Sequence, residues 1–106
     1  MSNYTKLNLL ELDDSVGEKA PGLEGRFGRS KLNARDIGVS HWRYAPNFRG
    51  PGHRHREQEE AYVVVSGSGR MLVDGDVLEL RKWDTVRVAP QAVRAVEAGP
   101  DGLELI

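Results

Sequence analysis

From about Gly38 onward the chain is written in short runs of alternating and β-branched residues, separated by turn chemistry and uninterrupted by any apolar stripe of helical period. Ser40, Trp42 and Tyr44 alternate against Val39, His41 and Arg43 ahead of Pro46, which predicts a strand closed by proline. A glycine- and proline-rich loop follows over 47–52. Further strands are predicted at 61–66, 70–74, 77–80, 85–88, 93–98 and 103–106. Between them stand Gly67-Ser68-Gly69, Asp74-Gly75-Asp76, Lys82-Trp83-Asp84, Ala89-Pro90-Gln91 and Gly99-Pro100-Asp101-Gly102, all of them turn chemistry. Short strands at hairpin spacing make an all-β protein, a small antiparallel β-barrel or jelly roll, in which closure of the sheet removes exposed edges.

The first 22 residues differ: they are polar and end in Lys19-Ala20-Pro21-Gly22, a turn signal, so 1–22 is expected to be an arm and 23–106 one barrel domain. Among the arm's few apolar residues, Leu7, Leu9 and Leu12 can form a short edge strand, a place where a second copy can pair, so a homodimer is a possible assembly. A chain of 106 residues holds one modest core and leaves no room for a second domain.

Composition narrows the chemistry. Without cysteine there is neither a disulfide framework nor a thiolate ligand or nucleophile, so a metal has to be held by nitrogen and oxygen. Fifteen basic residues stand against 16 acidic ones and are scattered among them, which argues against a phosphate-tracking surface and hence against nucleic acid as a partner. The N-terminus lacks the charged-then-apolar order of a signal peptide, and no apolar run reaches membrane-spanning length, so a cytoplasmic protein with no membrane partner is expected. No glycine-rich loop opens a helix, and Ser66-Gly67-Ser68-Gly69 is followed by a strand, which excludes a phosphate cradle and a nucleophile elbow.

The densest chemistry lies in 52–69. His53 and His55, two apart in an extended segment, point to one face while Arg54 points away, so both imidazoles can reach one ion. A carboxylate of the following strand would complete a facial set. Glu60 is the candidate, with Glu59 and Gln58 as competitors; because His55 and Glu60 are five apart, a turn at 56–59 has to bring them to one side. In that layout Glu60, Tyr62 and Val64 share a face, and Tyr62 serves as pocket wall or core. Glu57 and Glu59 belong to a solvated charge run, and Trp42 and Trp83 read as core or rim anchors.

The order His53, His55, Glu60, Gly67 resembles the first motif of the cupins, G-x5-H-x-H-x(3,4)-E-x6-G, with Asn47 at the leading glycine. The resemblance runs over roughly two-thirds of the chain. The second cupin motif, G-x5-P-x-G-x2-H-x3-N, aligned at Trp83, falls on Trp83, Ala89, Gln91, Arg94 and Ala98, none of which keeps the family's residue. The resemblance implies a metal held by His53, His55 and Glu60, with Arg94 where the family's fourth ligand, a histidine, would be. The remaining set of two imidazoles and a carboxylate suits iron(II), and manganese, nickel, copper or zinc also fit it.

A guanidinium inside the barrel repels a cation and can grip a carboxylate or phosphate ligand, so Arg94 is expected either to hold a small anionic molecule or to lie with its stem at the barrel mouth and its head in water. His41 is a strand residue that joins the pocket if Val39, His41 and Arg43 face inward. Two functions follow from the resemblance: a metal-dependent dioxygenase, isomerase or decarboxylase acting on a small molecule, or a binding or sensor module without turnover and without a required metal. Loss of the fourth ligand leans toward the second.

Overall fold

The computed structural model describes residues 3–55 and 57–106; the expected turn position Arg56 and the terminal Met1 and Ser2 lie outside the described residues. The elements are a 3-10 turn (Leu9–Glu11), β1 (Leu23–Phe27), a single-turn helix α1 (Arg29–Leu32), β2 (Ser40–Tyr44), β3 (Glu60–Val73), β4 (Asp76–Leu80), β5 (Thr85–Val88) and β6 (Arg94–Leu105). All pairings are antiparallel, in the order β1-β2-β6-β3-β4, with β5 joined to the first part of β3. The all-β architecture expected from the alternation is thus present.

Two expected hairpins are instead bends within long strands. Gly67-Ser68-Gly69 lies inside β3 and Gly99-Pro100-Asp101-Gly102 inside β6. The two stretches run side by side, with register shifts on either side of Ser66 and Gly67. Gly67 and Gly102 both have φ of 79°, and a Cβ on Gly67 would lie 2.1 Å from the Gly102 carbonyl oxygen. The glycines therefore let two neighbouring strands bend together at one level, a bulge function in place of chain reversal. A true reversal occurs at Asp74-Gly75, where φ is 48° and 89°, the positive pair that a two-residue hairpin needs.

The arm is no edge strand. Leu9–Glu11 forms a 3-10 turn capped by the Asn8 side chain, and farther along Ser15 and Asp14 bond the backbone of Gly25. Asp14 also accepts from the amides of Val16 and Gly17, so a carboxylate-bound turn lies along the free edge of β1, and the backbone bonds, that from Gly25 foremost, hold the Asp14 carboxyl below its ordinary pKa.

The bend gives β1, β2 and β6 two unlike faces. Leu23, Trp42, Tyr44, Leu103 and Leu105 point inward, where Tyr62, Val64, Met71, Leu80, Val88, Val96 and Ala98 complete the core. Glu24, Arg43 and Glu104 form a row of alternating charge across the outer face, with Arg26 and His41 in the next row.

Candidate functional site

Residues 49–55 run beside the start of β6 as an irregular extra strand. Arg49 bridges to Glu97, and His53 and Arg94 exchange both backbone hydrogen bonds at 2.9 Å. His55 is fixed by its amide to the Pro90 carbonyl at 2.8 Å. This pairing keeps the segment extended, so His53 and His55 fall on one face, their ring centroids 5.4 Å apart. Glu60 opens β3 and enters from the other side. His55 Nε2 lies 3.2 Å from Glu60 Oε2 and His53 Nε2 3.9 Å from Oε1. One donor atom from each of the three residues lies within 4.8 Å of the others.

These donors fit a divalent first-row ion: two imidazole nitrogens and one carboxylate oxygen converge. His55 Nε2 is moreover buried without a hydrogen-bond partner, since its approach to Glu60 is close but misaligned for a bond. Arg26 Nη1, His41 Nδ1 and Arg94 Nε share that state, so it is the convergence of His55 Nε2 with donors of His53 and Glu60 that sets this nitrogen apart. Of the competitors for the carboxylate position, Glu59 points outward to Arg87 at 2.8 Å.

The three residues stand at one side of an open basin of about 1010 Å³, walled by Leu23, Phe27, Trp42, Tyr44, Tyr62 and Val96. Trp42 and Phe27 meet edge to face, centroids 5.3 Å apart, which stiffens that wall. Burial, then the nearby Glu60 charge, pushes the Tyr44 phenol up to about 12. Tyr62 is buried and donates its hydroxyl to Glu60 Oε1; burial first, then that hydrogen bond, raises its pKa further. Both phenols keep their protons.

Two side chains lie elsewhere than the sequence suggests. Arg94 is fully buried, its head neither in water nor on the basin wall. Its guanidinium donates to the carbonyls of Ala92 at 2.7 Å, Pro90 at 3.2 Å and Ala89 at 3.3 Å, and Nη2 lies 3.3 Å from Glu60 Oε1. It therefore stands behind the carboxylate and has no free fork to offer an anion. His41 faces outward, because Trp42 and Tyr44 take the inner face. Its Nε2 lies 2.8 Å from Glu104 Oε2, and the Glu104 carboxylate is lowered in pKa chiefly by that hydrogen bond, with Arg43 adding.

The wall strand β1 was absent from the sequence-based prediction, although Leu23, Gly25 and Phe27 alternating with Glu24 and Arg26 carried its signal.

A family model for the cupin domain matches residues 40–104. The chain belongs to the cupin family. A crystal structure of a cupin protein from Bacteroides fragilis superposes with a TM-score of 0.63 at 25% identity, covering 99% of this chain and 81% of that one. Salicylate 1,2-dioxygenase of Pseudoaminobacter salicylatoxidans, in complex with gentisate, superposes at 0.71 with 18% identity over 82% of this cupin and 24% of the larger chain, a likeness of fold. An uncharacterised protein of Methanocaldococcus jannaschii is 33% identical over 45 residues, 42% of this cupin and 36% of its own length. The chain thus spans about a third of the curated relative it matches. Among the described residues no helix is long and apolar enough to cross a membrane.

Proposed function

We propose that this cupin binds a divalent metal ion through His53, His55 and Glu60 and receives a small organic molecule with an apolar body in the adjoining basin. The observation that carries this reading is the convergence of three donor atoms within 4.8 Å, one of them a buried imidazole nitrogen without a partner. A bound ion would supply Lewis-acid polarisation, or activation of water or oxygen, at the side of the basin. The protein's part is positional. Tyr62 and Arg94 hold Glu60 from behind, the pairing of residues 49–55 with β6 holds the imidazoles, and the wall of Trp42, Tyr44 and Val96 favours apolar over polar contact with a ligand.

Dioxygenase, isomerase and decarboxylase chemistries all remain compatible with this scaffold, since fold does not choose among them. The anion-holding role of Arg94 loses its support, because both of its terminal nitrogens are already engaged. Elemental mass spectrometry on untagged protein tests the reading. Near-stoichiometric metal in the parent and none in a His53→Ala/His55→Ala variant is the expected outcome. No metal in either, after reconstitution with iron, manganese, nickel, copper and zinc, overturns it.

A further inference from the structure

We infer that Arg94 is an internal competitor for the Glu60 carboxylate, which makes metal occupancy of the site conditional. The inference rests on the metal reading above and concerns how tightly the same donors hold an ion. Arg94 is 0% exposed, its terminal nitrogens donate to three backbone carbonyls of the 89–92 turn, and Nη2 lies 3.3 Å from Glu60 Oε1. A guanidinium does not shed its proton to escape a second cation, and this one cannot swing into solvent.

Glu60 Oε1 is also the acceptor of the Tyr62 hydroxyl, so that oxygen is largely spent from behind although His53 Nε2 lies 3.9 Å from it, and Oε2, 3.2 Å from His55 Nε2, is the one turned to His55. An ion held there meets a fixed positive charge across one carboxylate. It also shares that carboxylate's charge with the guanidinium. Both effects weaken cation binding without touching a ligand atom. The Glu60 carboxylate has a cationic partner of its own, so its charge draws an ion in less strongly than that of an unpaired carboxylate.

The test is a competitive zinc(II) and manganese(II) titration of apo-protein with a chromophoric chelator, on the parent and on Arg94→Gln, Arg94→Met and Arg94→Lys, each checked for fold by circular dichroism. Gln keeps a donor for the turn carbonyls, so it reports even if Met fails to fold. The expected result is at least about ten-fold tighter binding in the neutral variants, equivalent to about 1.4 kcal/mol. Lys, which keeps the charge without the fork, should stay within about three-fold of the parent. A purely structural Arg94 would give the opposite trend, since its loss loosens Glu60.

Measurable binding by the parent with binding at least about ten-fold tighter in the neutral variants supports the competitor role. Parent binding equal to or tighter than the neutral variants, or Lys rising with them, overturns the inference and leaves the metal reading standing. Failure of the parent and every folded variant to bind either ion overturns both.

Discussion

Two histidine and carboxylate clusters stand on opposite faces of this cupin, and their chemistry differs although their residue types do not. On the outer face His41 is 3% exposed and holds Glu104 at 2.8 Å, within a row that alternates Glu24, Arg43 and Glu104. On the inner face His53, His55 and Glu60 are each about a third to a half exposed toward the basin, and their donors converge without a hydrogen bond between them. The first arrangement closes on itself through the Nε2 hydrogen bond, leaving only the His41 Nδ1 on the far side of the ring without a partner, whereas the second directs donor atoms of three residues at common space. A histidine and a glutamate near one another therefore carry little information until the partner of each atom is known.

Substitutions can break this contrast in graded ways. Gly67→Ala should damage both clusters at once, because a Cβ there meets the Gly102 oxygen at 2.1 Å and φ is 79°, and the bend it sits in carries β3 and β6 past both faces. A loss of about 4 kcal/mol or more by urea denaturation is expected, and a mild effect would remove the paired-bend account.

Glu60→Ala comes next. It strands the buried Arg94 charge, with only carbonyls for company, and should destabilise by about 3 kcal/mol. The His53→Ala/His55→Ala variant should stay within about 1 kcal/mol of the parent, as half-exposed side chains do. Equal losses in the two variants would mean that the imidazoles also hold the fold.

On the outer face Glu104→Ala leaves His41 Nε2 without its acceptor and should cost about 1–3 kcal/mol, with metal binding unchanged. The carboxylate's pKa is lowered in the folded state from the ordinary 4.5, so its contribution is fully present above that value and is lost as pH falls through the folded one. The stability gap between parent and variant should therefore close on acidification; a gap constant down to strongly acid pH would show that the pair acts through packing alone. Smallest is Trp83→Gly, remote from both clusters. Trp83 is exposed with φ of 75°, and relief of that left-handed backbone should outweigh glycine's extra entropy by about 0.5 kcal/mol in favour of the variant.

Much of the inner cluster was legible. The two-residue spacing of His53 and His55 puts them on one face of any extended segment, and Glu60, Tyr62 and Val64 share a face of β3 as alternation requires. The Asp74-Gly75 reversal was equally readable, because its backbone demand is local. The glycines at 67–69 and 99–102 were misread as reversals because glycine reports only that a special backbone is allowed; the neighbouring strand determined that both stretches bend together. The arm's leucines suggested a strand, yet the bonds of Asp14 and Ser15 to Gly25 are made by a turn.

The amino-acid sequence by itself determined which residues of a strand share a face, where most of the extended stretches after Gly38 lie and which side chains can act as metal donors, since period-two alternation and ligand chemistry are local properties. Tertiary structure alone decided which face is inner. Alternation leaves that choice open by symmetry, and pairing across distant strands resolved it: Trp42 against Leu105 placed the aromatic side within and turned His41 toward Glu104, while the bridge of His53 to Arg94 set the guanidinium behind Glu60 instead of before it.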